Sequence, residues 1–471
     1  MTIHFQILEQ STISSILSDA KELLKKIGVA IEDPSLLNFL AEHEISIDRT
    51  SSRAFFSETA IENACSSVPS KFSLFNRSGE KVADLGEGRT FFVPGSAALD
   101  IFDSSKNVAR KAVRADLDQL AKLVQNLAVF HVQSTSIVPS DVPRDIADRV
   151  RLYHALRWCD KPLVTGTFKE DSLAPMVRML EAVRGTSAAL KEKPLAIFDC
   201  CPTAPLTWPK LTSNALMQCA RLGVPAEIIP VPLLGATGPV TLHGALVQIA
   251  AENLSGIVIH QLTYPGAPLI WGGCPMSFDM KYGTTRAGAP ETMLLNAASS
   301  EIAKYLGIPS HGYLTLSDAK TPDMQAGFES GQGALMAVLS GLNIVSGAGM
   351  LAFINCFSLE KLVFDASICE TSLYIRNGIA TYKTDFPSLF LEAQNSGGFL
   401  KLRHTKEIFR RELFFPKSVV DRSMLPTTTS CIERCVEEVK RLCALAQETS
   451  PLPKEVDHEL EQILKPEMNH V

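Results

Sequence analysis

The sequence predicts an α/β fold, a (β/α)8 TIM barrel with an N-terminal helical cap and a C-terminal helical region. Three observations predict it. Short apolar strands alternate with amphipathic helices about eight times over some 250 residues, the usual dimensions of such a barrel. The stretch IPSHGYLTLSDAKTPDMQAGFESGQGALMAVLSGLNIVSGAGML, residues 308–351, reads as strand, polar turn, helix and strand, and a crossover helix between strands makes them parallel. The rival doubly wound sheet needs a glycine-rich phosphate turn after its first strand, and neither GxGxxG nor GxxxxGK[ST] occurs.

Taken in order, the chain opens with an amphipathic stripe, Ile13, Ile16, Leu17, Ala20, Leu23, Leu24 and Ile27, that marks a first helix. A second helix follows Pro34, and a third starts after Ser57, an N-cap with Glu58 in the first turn. Residues 1–69 therefore form the cap. From Lys71 to Lys106 short alternating runs split by Gly and Asp-Ser turns read as hairpins that lead into a first barrel strand, Phe91 to Gly95. The barrel occupies 70–352, with strands expected at 131–135, 163–166, 195–199, 227–230, 268–272, 308–313 and 343–346. Beyond Phe357 the strand pattern ends, and 353–471 reads as helices that pack on the barrel or on another subunit.

The 471 residues carry a formal net charge of -6, with 46% hydrophobic and 20% charged residues, enough for a substantial core and no general basic face for nucleic acid. The lone basic cluster, KNVARKAVR (106–114), reads as a solvated helix start. Eleven cysteines lack a secreted framework's spacing, Met1 to Gln10 has no signal-peptide character, and no run approaches the ~18 apolar residues of a membrane helix. These features point to a cytoplasmic protein with reduced thiols and no membrane partner.

In parallel α/β folds chemistry gathers at the carboxyl ends of the strands. Reading those ends gives Ser96, Asp100, Ser134, Thr135, Thr165, Thr167, Asp199, Cys200, Cys201, Thr237, Trp271, His311, Tyr313 and Ser346, with Phe353, Asn355 and Phe357 in the loop beyond the last strand. Each has a plain structural alternative: Trp271 and Tyr313 can close barrel layers, His311 can be a satisfied core residue, Asp199 can cap a helix, and Phe353 and Phe357 can be core. Asp199, Cys200, Cys201, Cys274 and His311 offer zinc-ligand types, but no CxxC, HxH or HExxH spacing occurs, so no metal is expected. No GxSxG occurs, and Asp199 is the one firm strand-end acid, which argues against a paired-carboxylate hydrolase.

The stretches PGSAALDIFD (94–103), STSIVPSDVPRD (134–145), KPLVTGTF (161–168), PGAPLIWGG (265–273), SDAKTPDMQAGFE (317–329), GLNIVSGAGML (341–351) and GGFLKLRHTKEIFR (397–410) resemble the trimethylamine methyltransferase family. The resemblance runs from about residue 10 to residue 425. It implies a TIM barrel that passes a methyl group from an amine to the cobalt of a corrinoid, a cobalamin carried by a separate partner protein, with no tightly bound cofactor in this chain. The enzymes that give the family its name carry pyrrolysine near the position of His311 to Leu316, where this chain has ordinary residues. That departure points to the non-pyrrolysine branch, whose members demethylate quaternary amines such as betaines. Some of those carry a histidine near the end of the last strand, where this chain reads Ile344-Val345-Ser346-Gly347, so the amine stays open.

The expected activity is therefore quaternary amine:corrinoid protein methyltransfer, in a homo-oligomer. Trp271, Tyr313 and Phe357 are the expected cation wall, since aromatic faces hold quaternary ammonium groups. His311, Ser346 and Asn355, with Asp199, are expected to orient the substrate's polar end. Two alternatives remain at this point: a zinc-dependent methyltransferase of another donor, and a non-catalytic protein that binds quaternary amines.

Overall fold

Eight parallel strands surround a lumen in the computed structural model, which describes residues 3–95, 97–416, 419–424, 428–446 and 452–468. They are β1 (Phe91–Pro94), β2 (Gln133–Ser134), β3 (Leu163–Gly166), β4 (Ala196–Cys200), β5 (Ala226–Ile228), β6 (Leu269–Trp271), β7 (His311–Tyr313) and β8 (Ile344–Ala348). Neighbours pair in parallel in the order β2-β3-β4-β5-β6 and β7-β8-β1. A bridge between Trp271 and Ser310 joins β6 to the start of β7. Between β1 and β2 the join is made by a bridge of Ala98 with Ile137, and by the Ser134 hydroxyl donating to the carbonyls of Pro94 and Gly95 at 3.0 and 2.8 Å.

Side chains alternate between lumen and helix layer, as the two-residue repeat of a strand requires. Phe91, Val93, Val132, Val164, Ile197, Ile270 and Ile344 form one apolar cluster inside the barrel. Leu74, Ala83 and Leu85 of the leading antiparallel hairpin (Phe72–Phe75 with Lys81–Leu85) join that cluster. The hairpin's backbone bonds to Asp160 and Pro194, just before β3 and β4, so it plugs the amino end of the barrel. Only the carboxyl end is left for a site.

The helices that wrap the barrel are α1 (Arg114–Asn126), α2 (Ala147–Trp158), α3 (Leu173–Arg184), α4 (Lys210–Leu222), α5 (Leu242–Thr263), α6 (Pro290–Tyr305), α7 (Met324–Ser340) and α8 (Leu359–Arg376). By length and composition α5 is apolar enough to cross a membrane, which the sequence reading did not anticipate. It is a core helix: 78% of its most apolar window is buried inside the protein, and it packs on α4, α6 and two cap helices. The Asn253 amide donates there to the Ile249 and Gly272 carbonyls at 3.0 and 2.9 Å. Among the described residues no other helix meets that length and apolarity.

The three N-terminal helices form at Gln10–Lys26, Pro34–Glu42 and Glu58–Ser67, the last capped by Ser57, whose hydroxyl accepts from the Ala60 amide at 3.2 Å. The cap is not purely helical. Val29–Ile31, Ser46–Asp48 and Arg53–Phe55 form a small sheet completed by Thr207–Trp208 from the loop after β4. Three-residue strands are too short to leave a periodic signal, so the sequence reading passed over them. After α8 come the helices Phe386–Ser396, Arg403–Glu412, Cys431–Ala446 and Lys454–Met468.

Gly347 allows the ladder of β8 to shift register against β1 between Ser346 and Ala348. Its φ is +131°, and a Cβ there would lie 2.0 Å from the Leu314 carbonyl oxygen. Gly347→Ala should therefore destabilise the fold by about 3 kcal/mol or more. Urea unfolding of the variant against wild type measures this, and an unchanged midpoint would contradict the assigned geometry.

Candidate active site

Four strands send polar side chains into the apolar lumen. Asp199 follows Ile197 by two residues on β4, and Glu227 stands opposite Asp199 in the β4–β5 register, so both acids share the lumen face. The two carboxyl groups are close enough to shift one another's proton affinity. Glu227 Oε2 meets Nδ1 of His311 on β7, and His311 Nε2 pairs with the Ser346 hydroxyl on β8 at 2.9 Å. Glu227, His311 and Ser346 thus form one hydrogen-bonded chain across the barrel, with Asp199 beside Glu227. The ring of Tyr313 stacks on His311 with centroids 4.9 Å apart and planes at 27°.

Burial sets the protonation of this chain. It pushes Asp199 well above the usual carboxylate range, and the charge of Glu227 adds to the effect. Burial also pushes Glu227 up to about 7 and His311 down to about 4. Burial thus disfavours charge on both carboxyl groups and on the His311 ring. Tyr313 is held in its phenol form by burial, with Asp199, Glu227, Cys274 and Cys201 nearby. Asp199 and Cys201 keep partial solvent access, so the lumen opens toward the carboxyl face.

The structure brings together Asp199, His311, Tyr313 and Ser346 among the residues singled out from sequence. It does not bring Trp271 to them. With Ile270 inside the barrel, Trp271 points to the helix layer, 1% exposed, where its Nε1 donates to Ser299 of α6 at 2.9 Å. Phe357 is buried against Gly349, whose Cβ would fall 2.5 Å from its ring. Asn355 is exposed, and its carbonyl accepts from the amides of Leu99 and Asp100 at 3.1 and 3.0 Å. Ser96 lies outside the described residues. The three-membered aromatic wall is therefore replaced by one ring, Tyr313, beside a carboxyl pair.

Glu227 was missed from sequence. Its signal was present: an acid between Ala226 and Ile228 in a strand short and apolar enough to be buried on both faces must point its charge into the lumen or into the helix layer. The zinc-type residues separate. Cys200 turns to Cys219 of α4, and all eleven cysteines are free. Among the described residues no group of three or more His, Cys, Asp or Glu is placed to hold a metal ion.

Comparison with known proteins places this geometry. The family description "Trimethylamine methyltransferase (MTTB)" matches residues 2–465. The chain belongs to the trimethylamine methyltransferase family. It is 29% identical over 427 residues to a glycine betaine methyltransferase of Desulfitobacterium hafniense, covering 90% of this chain and 88% of that protein. It is also 29% identical over 405 residues to the trimethylamine methyltransferase MttB of Methanosarcina barkeri, covering 82% and 79%. Among solved structures, the monomethylamine methyltransferase MtmB of Methanosarcina barkeri superposes with a TM-score of 0.52 at 10% identity, covering 98% of this chain and 89% of that one. That likeness speaks for the fold.

Two outcomes test the site. Trp271→Ala should cost about 3–5 kcal/mol of stability while the folded variant binds ligands of the lumen as wild type does. The Glu227–His311 pair takes up one proton below about pH 7, and the same two residues in the unfolded chain, with ordinary values of 4.5 and 6.5, hold one proton between those values. Their contributions to pH-dependent stability therefore nearly cancel. In Glu227→Gln only the depressed His311 remains, whose stabilisation is present above 6.5 and is lost as pH falls toward 4. In His311→Gln the raised Glu227 remains, whose stabilisation is present below 4.5 and is lost as pH rises through about 7. Relative to wild type the two variants should drift in opposite directions, by at most ~1.4 kcal/mol per pH unit. Parallel stability profiles from pH 4 to 7.5 would contradict the pairing.

Proposed function

We propose that this protein is a quaternary amine:corrinoid protein methyltransferase: it moves a methyl group from a quaternary ammonium compound to the Co(I) of a corrinoid carried by a partner protein and releases a tertiary amine. The observation that carries this reading is the lumen itself, which holds a buried carboxyl pair and an aromatic ring. Family membership and the glycine betaine methyltransferase relative support the class of reaction.

The chemistry suits these residues. When the methyl carbon is displaced, the C–N bond breaks, its electron pair stays on nitrogen, and the amine leaves uncharged. No general acid is required to protonate it. What the barrel has to supply is a place for a bulky cation and a fixed line of approach from the mouth. Negative charge on the carboxyl pair would face a substrate cation in surroundings poor in water. Tyr313 offers a ring face at the same depth, worth about 0.5–2 kcal/mol to a quaternary ammonium. His311, braced between Glu227 and Ser346, fixes the orientation of both the ring and the acid.

The same reading includes self-association. Between 377 and 416 only Ala393 and Leu402 are buried, while Phe386, Phe390, Leu391, Leu400 and Phe409 are exposed. A second copy of the chain covering this arm would shelter those side chains, and light scattering on the eluted protein would report it.

The decisive experiment mixes the enzyme with reduced corrinoid protein and single amines and follows the cobalt absorption spectrum. Methylation of cobalt is expected from quaternary amines and not from trimethylamine; activity on trimethylamine alone would overturn the reading. Glu227→Gln should raise KM for the cation about tenfold or more, and Tyr313→Phe should be milder than Tyr313→Ala because the ring face survives.

A further inference from the structure

The helix Cys431–Ala446 starts on a reciprocal cap: the Ser430 amide donates to the Glu433 carboxylate at 2.6 Å, and the Glu433 amide to the Ser430 hydroxyl at 3.3 Å. Cys431 is the first residue of this helix and Cys435 lies one turn on, so the two thiols share a face. Cys431 Sγ lies 3.6 Å from the Val419 carbonyl oxygen, and Arg434 Nε donates to that same oxygen at 3.2 Å, which sets the guanidinium beside the sulfur. Both cysteines line a cavity of about 550 Å³ between this helix and the first turns of α7 and α8. Asp199, Glu227, His311, Tyr313 and Ser346 take no part in its wall.

Met324, Ala326, Phe364 and Ile368 make that wall largely apolar, and Asp365 adds a polar group whose bonding is incomplete. Asp365 is fully buried: Oδ2 accepts from the Gly349 amide at 2.7 Å and from the Lys361 ammonium, while Oδ1 has no partner. Native folds keep few such buried acceptors unmet. Asp323 and Glu360 bring two more carboxylates to the cavity against the ammonium of Lys361, so a ligand that donates hydrogen bonds and carries positive charge suits it. Cys431 also differs from the other partly exposed thiols. Cys435 beside it and the Arg434 guanidinium hold it below an ordinary thiol, and a helix N-terminus next to a cation has that effect in general. Burial instead pushes Cys65 up to about 12 and Cys443 up to about 11, and it raises Cys201 as well.

We propose that Cys431 is a site of reversible S-thiolation, and that its reagent is a small disulfide bearing an amine, received in the cavity that Cys431 shares with Asp365. The Cys431 thiolate attacks one sulfur of the disulfide. A new S–S bond forms, the old one breaks, and the second half leaves as a thiolate that takes a proton from water. The protein sulfur is oxidised and the leaving sulfur reduced, so nothing besides the disulfide is consumed. The half that stays lies against Phe364 and Ile368, with its ammonium toward Asp365. Cys435 supports the thiolate rather than closing a bond to it: Cβ atoms four residues apart on a helix stand about 5–6 Å from each other, wider than the ~3.5–4.5 Å of a disulfide. The helix therefore favours a mixed disulfide over a bridge between its own two thiols.

The test treats the full-length native protein with limiting cystamine at neutral pH and maps the adducts by peptide mass spectrometry. Cys431 should be modified roughly tenfold or more faster than Cys65, Cys201 and Cys443, and dithiothreitol should reverse the adduct. Dithiodipropionate, the anionic counterpart, should react with Cys431 about tenfold more slowly once each rate is divided by that with free cysteine, the size of one hydrogen bond to a charged group. Gly327→Leu fills the cavity from α7, where a Cβ meets the Phe364 ring at 3.4 Å. The folded variant, checked by circular dichroism, should react slowly with cystamine and as wild type does with the smaller iodoacetamide. If Gly327→Leu does not fold, the two disulfides on wild type decide alone. Adducts spread evenly over the four cysteines, or equal normalised rates for the two disulfides, overturn the proposal, as does a cystamine rate unchanged in Gly327→Leu. None of these readings involves an amine substrate or a corrinoid, so the outcome stands apart from that of the methyl-transfer experiment.

Discussion

A buried carboxyl pair in an apolar barrel is the constraint on which the rest of this structure depends. Asp199 and Glu227 stand side by side on adjacent strands with Ile197 and Ile270 lining the same lumen. Two ionised carboxylates cannot share such a place, since each charge is poorly solvated and repels the other. Burial raises both carboxyl groups above the usual carboxylate range, and Glu227 is given a partner in His311. His311 needs a partner in turn, and Ser346 supplies it. One polar requirement on β4 and β5 thereby dictates side chains on β7 and β8. The barrel's closure and its chemistry are tied by the same bonds.

The leading hairpin gives this arrangement its direction. Leu74, Ala83 and Leu85 fill the amino end of the lumen, so water and ligands reach Asp199 from the other side. Below the carboxyl pair lie only apolar side chains; above it lie Tyr313, Cys201 and Cys274. In the function proposed above, a small cation would meet the acids at the depth where the apolar floor begins, so packing would set its depth and the acids its affinity.

Much of the fold was legible because parallel strands buried on both faces and amphipathic helices leave strong local patterns. β3 was bounded to the residue from LVTG between Pro162 and Thr167. The site was half legible. His311, Tyr313 and Ser346 could be placed together because strand ends converge in a barrel. Trp271 was misplaced because its facing depends on whether an odd or an even residue of β6 enters the lumen, a choice of one residue that flips every side chain. Glu227 was overlooked because it sits inside a strand, where a lone charge reads as noise until tertiary packing shows it to be buried.

The rim of the mouth shows how such a site is kept rigid. Ala352, Phe353 and Ile354 are three consecutive non-glycine residues with φ of 49°, 61° and 63°, a left-handed turn that costs about 1–2 kcal/mol per residue. It persists because both of its ends are fixed. Met350–Leu351 pairs with Cys356–Phe357, which pairs in turn with Asp100–Ile101 from the loop after β1. The Ala352 amide donates to the Ala319 carbonyl at 2.8 Å, in the loop after β7, and the Asn355 carbonyl takes the amides of Leu99 and Asp100. The turn therefore straps the loops after β7, β8 and β1 together across the seam where β8 meets β1. Asn355 contributes through its backbone, and Phe357 through the packing that anchors the strap on Gly349. Asn355 and Phe357, expected from sequence to touch the substrate, are built instead into the frame around the lumen. That division is consistent with the chemistry: a reaction whose leaving group departs without a proton depends less on mobile side chains than on a cavity that keeps its shape.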